Sequence, residues 1–268
     1  MSGVRPTPDL LGRALLDHLA GSGGYAHLRR ADGRLAPLDL GSFFVPYAEF
    51  AEYEQELMAH ARGEVLDLGC GAGRAVEPLL AVGRRGGDGR PELNWPACDG
   101  VTAVDISPGA CECVRRRLAL WAPVGPVEVV CADWRRLAGG QRLAGRFDTV
   151  LCLGAGAGLA SDPPGLGRLL DAIWTWLRPG GLALLTGAPP PDGARGPSLT
   201  SRLRVEYRGM VGRWFDWLYL DPGYLAKLAR RAGFAVVWGP SGEAVGDRCA
   251  EYGLALRRPV AGERLRRI

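Results

Sequence analysis

The chain has 268 residues, 47% of them hydrophobic, so it can bury one large core but is too short for a second full domain. Its formal net charge of +4 is mild and its arginine pairs are scattered along the chain, which argues against nucleic-acid binding. No apolar run approaches about 18 residues, no export leader begins the chain, and its cysteines form no Cys-x-x-Cys pair, so we expect a cytoplasmic protein without a membrane span, disulfide framework or bound metal.

The first 61 residues are expected to form a helical arm or lid over the rest of the fold. Residues 10–19 are amphipathic, and residues 43–61 carry apolar side chains at helical spacing. Tyr47 and Tyr53 are candidates to face a substrate, although aromatic side chains at this spacing more often belong to the core.

Residues 65–74, with the sequence VLDLGCGAGR, predict an apolar strand that turns sharply into a helix. Gly69, Gly71 and Gly73 lack a Cβ atom, so a ligand can approach the backbone closely where the helix begins. This turn therefore predicts a binding site for an adenosine-containing cofactor.

Two side chains of this motif bear on the identity of that cofactor. Arg74 stands where a dinucleotide-binding fingerprint has a small residue, which disfavours a nicotinamide cofactor. The carboxylate of Asp67 suits a cofactor that carries a sulfonium and an amino group. A glycine turn without any ligand is the remaining alternative at this point.

Two more apolar strands end in an acid. Asp105 follows residues 101–104, and Asp133 follows residues 127–132. Ligands of open parallel sheets bind at the carboxyl ends of the strands, so these acids indicate one site. A carboxylate there can accept hydrogen bonds from the two hydroxyls of a ribose. The alternative for Asp105 is that it only caps the next helix.

Together these segments resemble the class I S-adenosylmethionine-dependent methyltransferases over about residues 65–258. The resemblance implies an α/β fold with a Rossmann-like seven-stranded sheet in the order 3-2-1-4-5-7-6, the last strand antiparallel, and helices on both faces. This domain is expected at residues 62–258, with a hairpin insertion at residues 203–221 and a frayed tail at residues 259–268.

The same resemblance implies a site for S-adenosylmethionine. The residues it assigns are Asp67, Gly69, Cys70, Gly71 and Gly73 for the methionine part, Asp105 for the ribose, Ile106, Asp133 and Trp134 for the adenine, and Leu153 and Gly154 below the sulfonium. The inserted hairpin supplies further candidates for the substrate side, namely Glu206, Arg213, Trp214 and Asp216.

We expect methyl transfer to a small-molecule acceptor in bacterial specialised metabolism. The fourth strand ends in glycines, which gives space and no catalytic side chain, so no catalytic residue is assigned. Two alternatives stay open: the fold is repurposed for a cyclisation or elimination, or the protein is a non-catalytic member of a complex, as the long loop bearing Trp95 suggests. A protein partner and a homo-oligomer are both left open.

Overall fold

The computed structural model describes residues 6–80, 98–121, 125–191, 194–239, 251–260 and 262. Trp95, most of its loop and most of the expected tail lie outside these ranges. Within them, no helix has both the length and the apolar character needed to cross a membrane.

The helices are α1 (Leu10–Leu19), α2 (Glu52–Met58), α3 (Val76–Leu80), α4 (Pro108–Trp121), α5 (Trp134–Ala138), α6 (Pro163–Trp176) and α7 (Pro222–Arg231). The strands are β1 (Ala26–Arg30), β2 (Leu35–Leu38), β3 (Gly63–Leu68), β4 (Cys98–Asp105), β5 (Val127–Cys131), β6 (Phe147–Cys152), β7 (Leu177–Gly187), β8 (Ser198–Tyr207), β9 (Met210–Val211), β10 (Phe215–Leu220), β11 (Ala235–Trp238) and β12 (Tyr252–Arg257).

Seven of these strands form one sheet in the order β5-β4-β3-β6-β7-β12-β11. The first five are parallel, whereas β12 runs antiparallel to both of its neighbours. This arrangement confirms the order 3-2-1-4-5-7-6 and the antiparallel last strand that the sequence predicts.

Apolar side chains on both faces of the sheet account for its burial between helices. In β7, Leu182 and Leu184 join a core with α2 and α3, whereas Ala183 and Leu185 join a core with α6 and α7. Such two-sided burial is typical of parallel strands. The carboxyl ends of β3, β4, β5 and β6 consequently meet at one edge of the molecule.

A second, antiparallel sheet contains β10, β8, β1 and β2 in that order, with β9 beside β8. Residues 203–221, where a hairpin is expected, belong to this sheet: Phe215 pairs with Leu203 and Leu220 with Ser198, so the first strand begins earlier than residue 203. The N-terminal hairpin of residues 26–38 was not expected and pairs with β8 through β1.

The helical description of residues 1–61 is therefore wrong in two places. Residues 26–38 form strands, and the helix expected over residues 43–61 is restricted to α2. Before α2 the chain makes two short 3₁₀ turns and is extended at Pro46 and Phe50, which interrupts the helical hydrogen-bond pattern.

Helix α1 packs against α4 at a close contact between two glycines. A Cβ atom at Gly109 would lie 2.5 Å from the backbone carbonyl carbon of Gly12. Asp9, which caps α1 by accepting a hydrogen bond from the Gly12 amide, also accepts from Ser107 Oγ at 2.6 Å and from the Gly109 amide at 2.8 Å. One carboxylate thus joins the beginnings of two helices.

Candidate functional site

The glycine turn follows β3 and has a backbone that requires glycine. Gly69, Gly71 and Gly73 have φ values of +78°, +53° and +82°. The amide groups of Gly69 and Cys70 both donate to the carbonyl oxygen of Val104, at 2.8 and 3.0 Å. The turn is therefore fixed against the carboxyl end of β4, as a ligand-binding loop at this edge requires.

Asp67 is buried at the end of β3, and its Oδ2 atom has no hydrogen-bond partner among the described residues. Burial raises the pKa of Asp67 to about 7; the Arg74 guanidinium opposes this shift and the Asp105 carboxylate adds to it. Because a buried acceptor without a partner is costly, Asp67 fits the binding of a positively charged hydrogen-bond donor.

Asp105 holds the glycine turn to the first residues after β4. Its Oδ2 accepts from the Gly71 amide at 2.9 Å and its Oδ1 from the Ser107 amide at 2.8 Å. Burial raises the pKa of Asp105, and these hydrogen bonds lower it in part. Each carboxylate oxygen has a further lone pair, so ribose hydroxyls can still donate to this group. The neighbouring Ile106 is 65% exposed and presents an apolar surface.

Asp133 and Trp134 have protein partners at the start of α5. Asp133 accepts from the Arg135 amide at 2.9 Å and pairs with the Arg135 guanidinium at 3.4 Å. Trp134 is buried and donates from Nε1 to the carbonyl oxygen of Leu159 at 3.2 Å. Contact of either residue with an adenine ring stays a prediction.

The end of β6 is shaped by two consecutive residues with positive φ. Gly154 and Ala155 have φ values of +64° and +56°, so the chain turns away from the sheet directly after Leu153. Leu153 is buried in the core, and the Gly154 amide donates to Glu54 Oε1 at 3.4 Å. Room for a ligand at this strand end stays a prediction.

A buried ion pair that the sequence reasoning missed joins α2 to the glycine turn. Arg74 Nη2 and Nη1 donate to Glu54 Oε1 and Oε2 at 2.6 and 2.9 Å, and the guanidinium lies 4.5 Å from the centre of the Phe50 ring. The sequence contains a signal for this pair, since Glu54 lies on the apolar face of the expected helix. A carboxylate that is buried there requires a cationic partner.

Of the two tyrosine candidates, Tyr53 reaches the carboxyl edge and Tyr47 is used locally. Tyr53 donates from its phenol to Glu251 Oε2 at 2.9 Å. Tyr47 donates to the carbonyl oxygen of Gln55 at 3.0 Å, within the segment that leads into α2. Glu251, immediately before β12, was not singled out from the sequence.

The hairpin candidates group around arginines on the face of β8 opposite to its buried side chains. Glu206 pairs with Arg29 at 2.6 Å and with Arg204 at 2.6 Å, which lowers the pKa of Glu206. The Arg204 guanidinium also lies 4.8 Å from the centre of the Trp214 ring. Two further candidates, Arg213 and Asp216, are exposed.

The residues present fit S-adenosylmethionine as a cofactor. Asp67 offers an unpaired acceptor for the amino group, and the glycine turn offers a close backbone approach. Asp105 offers acceptors for a ribose, and Ile106 offers an apolar surface for a flat ring. These groups lie along one edge of the sheet, which is where open α/β sheets bind ligands.

Residues 65–181 match a family model described as methyltransferase domain. A structure of an S-adenosylmethionine-dependent methyltransferase from Bacteroides fragilis in complex with S-adenosyl-L-homocysteine is similar at a TM-score of 0.67 and 22% identity, covering 96% of this chain and 98% of that one. The 1,6-didemethyltoxoflavin-N1-methyltransferase of Burkholderia thailandensis is similar at a TM-score of 0.52 and 20% identity, covering 97% and 93%.

The CcbJ methyltransferase of Streptomyces caelestis is similar at a TM-score of 0.54 and 18% identity, covering 80% of this chain and 95% of that one. The comparison with curated proteins finds no significant sequence match. The matched family region begins with the glycine-turn motif and extends into β7, so it contains the strand ends described above. Residues 65–181 therefore match a methyltransferase domain, and the fold of the chain is similar to that of S-adenosylmethionine-dependent methyltransferases.

Proposed function

We propose that this protein transfers a methyl group from S-adenosylmethionine to a small-molecule acceptor in bacterial specialised metabolism. The observation that carries the proposal is a buried Asp67 whose Oδ2 atom has no partner among the described residues. It lies at a glycine turn, beside a strand end that has no polar side chain. Two similar proteins support the proposal: one is a 1,6-didemethyltoxoflavin-N1-methyltransferase, and the other converts a disulfide bond into a thioacetal group during echinomycin biosynthesis.

The antiparallel sheet supports a small acceptor because it covers part of the carboxyl edge. Trp217 of β10 packs so closely on Gly158, in the turn that follows β6, that a Cβ atom at Gly158 would overlap the indole. Leu218 and Leu220 of the same strand are buried in the main core. These contacts fix the antiparallel sheet beside the turn that follows β6, and we propose that it limits the acceptor to a compact molecule.

The N-terminal residues support their proposed role as a lid over the domain at residues 62–258. The Phe43 ring lies against the glycine turn, where its Cδ1 would be 3.0 Å from a Cβ atom at Gly71. Asp9 holds α1 beside Ser107, two residues after Asp105. Both contacts place this segment next to the proposed cofactor groups.

In the proposed site, the cofactor supplies an electrophilic methyl group on a sulfonium. Asp67 and the glycine turn, including Cys70, hold its methionine part, and Asp105 holds the ribose. Ile106, Asp133 and Trp134 border the adenine, with Leu153 and Gly154 below the reacting centre. Alignment of the acceptor atom with the methyl carbon can by itself lower the barrier by about 7–11 kcal/mol, so the chain needs few catalytic side chains.

The proposal is tested by following formation of S-adenosylhomocysteine from S-adenosylmethionine with a panel of small phenols, amines and thiols. We expect at least one class of acceptor to give methylated product together with an equal amount of S-adenosylhomocysteine. A product formed without S-adenosylhomocysteine would instead support a cyclisation or elimination on this fold. Binding of the cofactor without turnover of any acceptor would support a non-catalytic member of a complex.

A further inference from the structure

Glu251 lies at the carboxyl edge of the main sheet, although it is distant in sequence from the other acids there. The next residue, Tyr252, begins the antiparallel strand β12 and pairs with Gly187 at the end of β7. The Glu251 carboxylate accepts the phenol hydrogen of Tyr53, which belongs to α2. The following residue of α2 is Glu54, the partner of Arg74 beside the glycine turn.

Among the described residues, Glu251 has no cation of its own. The Arg74 guanidinium lowers the pKa of Glu251 in part, but Glu54 already holds this guanidinium in a bidentate ion pair. Among the described residues, Glu251 itself makes no ion pair. Within the described part of the chain, the Glu251 carboxylate is therefore available to a cationic ligand.

One phenol contacts this carboxylate, and a second lies within electrostatic range of it. Tyr53 donates to it at 2.9 Å, and Tyr219 of β10 lies close enough that Glu251 raises the pKa of Tyr219. Burial is the larger cause of the raised pKa of both phenols, so they stay neutral and can donate hydrogen bonds. Aromatic rings next to a carboxylate are also a favourable environment for an alkylammonium group.

We infer that Glu251, hydrogen-bonded to Tyr53 of α2, binds the methyl acceptor through an amine nitrogen and takes up the proton which that nitrogen loses. This inference rests on the proposed function and adds a substrate class to it, namely compact amines. It also assigns a catalytic residue, Glu251, to a site in which the end of the fourth strand supplies no catalytic side chain.

The step is balanced in atoms and charge. The ammonium form of the acceptor has no lone pair, so its nitrogen first gives one proton to the Glu251 carboxylate. The nitrogen lone pair then forms the new bond to the methyl carbon, while the carbon–sulfur bond breaks and its electron pair stays on sulfur. Glu251 later releases its proton to water. Burial raises the pKa of Glu251, which makes it a stronger base than an ordinary carboxylate.

Three probes of similar size and different charge test this inference: 2-phenylethylamine, 2-phenylethanol and 3-phenylpropionate. Each is titrated into protein saturated with S-adenosylhomocysteine, and binding is followed by ligand-observed nuclear magnetic resonance. We expect the amine to bind about tenfold more tightly than the alcohol and the carboxylate to bind most weakly, since tenfold corresponds to about 1.4 kcal/mol. Glu251→Gln should abolish the preference for the amine.

Glu56→Gln is the matched control, because Glu56 is an exposed acid of α2 and its loss should leave the preference unchanged. Tyr53→Phe should weaken amine binding and shift its pH dependence, since Tyr53, Tyr219, Glu54 and Arg74 are the described groups that face Glu251. Equal binding of the three probes, no binding of any below about 10 mM, or an unchanged preference in Glu251→Gln would overturn the inference.

Calorimetry with S-adenosylhomocysteine on the same variants separates this inference from the proposed function. If the wild-type protein binds S-adenosylhomocysteine but does not prefer the amine, only the assignment of Glu251 and of the substrate class is refuted. If the wild-type protein does not bind S-adenosylhomocysteine, the proposed function is refuted as well.

Discussion

Arg74 and Glu54 form a buried, bidentate ion pair in which the two nitrogen–oxygen distances are 2.6 and 2.9 Å. The side chains are only 18% and 5% exposed. Arg74 follows the glycine turn, Glu54 belongs to α2, and Glu54 also accepts from the Gly154 amide at the end of β6. One pair of side chains thus connects the glycine turn, the N-terminal segment and the end of β6.

Replacing Arg74 by Leu should lower the free energy of unfolding by about 3 kcal/mol, because it leaves the Glu54 carboxylate buried without a cation. Urea denaturation followed by circular dichroism measures this change. Arg116→Leu is the control, since Arg116 pairs with Glu112 on an exposed helix surface and should contribute at most about 0.5 kcal/mol. Equal losses in the two variants would contradict the importance of the buried pair.

Asp67 should make the ligand-free protein less stable as the pH rises. Its pKa is about 7 in the folded protein and about 4 in the unfolded chain, so the folded state holds more protons between these values. The free energy of unfolding should therefore fall between about pH 4 and pH 7, by up to roughly 4 kcal/mol. Arg74 and Asp105 are the charged groups that act on Asp67.

Asp67→Asn cannot ionise and should lose most of this pH dependence. Urea denaturation of both proteins at pH 5 and pH 8 measures the difference. The wild type should lose more stability than the variant over this interval, and parallel losses would show that other groups cause the dependence.

Asp105→Ala should weaken binding of S-adenosylhomocysteine about 10- to 100-fold, because it removes hydrogen bonds from ribose hydroxyls to a carboxylate. It also removes the acceptor of the Gly71 and Ser107 amides, so thermal unfolding must accompany the binding assay. Asp99→Ala, an exposed acid near the opposite end of β4, is the matched control and should bind normally. Unchanged affinity in Asp105→Ala would refute the ribose assignment.

Gly109→Ala should separate α1 from α4, because the new Cβ atom would lie 2.5 Å from the Gly12 backbone. We expect a loss of about 1–3 kcal/mol in the free energy of unfolding, as for other overpacked contacts. Gly167→Ala in α6 has nothing within 4 Å of its Cβ position and should stabilise the protein by about 0.5–1 kcal/mol. Thermal denaturation of both variants checks this difference in sign.

The main sheet and its glycine turn were predictable because their signals are local. The strands of the parallel half are short apolar runs, and Asp67 and Asp105 follow such runs directly in the chain. The two acids then meet because parallel strands place their carboxyl ends at one edge. Residues identified in this way need no knowledge of distant contacts.

The N-terminal hairpin is harder to predict from the sequence, because its second strand, β2, contains Pro37 and is mostly exposed. The first strand of this hairpin, β1, pairs with β8, which lies more than 160 residues further along the chain. A local signal was nevertheless present, because Asp32-Gly33 is a pair typical of hairpin turns, and Gly33 has a φ of +90°.

The acceptor side could not be assembled from the sequence for a similar reason. Tyr53 and Glu251 are separated by 198 positions and meet only because α2 lies beside the start of β12. Glu206 was selected from a strand pattern, yet that pattern does not specify which face of β8 it occupies. Faces and long-range pairs come from tertiary packing, which periodicity alone does not determine.

The most direct test of the account is calorimetric titration of the purified wild-type protein with S-adenosylmethionine and S-adenosylhomocysteine. We predict one site per chain with micromolar affinity for both ligands, which corresponds to about 8 kcal/mol of binding free energy. Absence of binding by both ligands would contradict the assignment of Asp67, the glycine turn and Asp105 to a cofactor site, and with it the proposed methyl transfer.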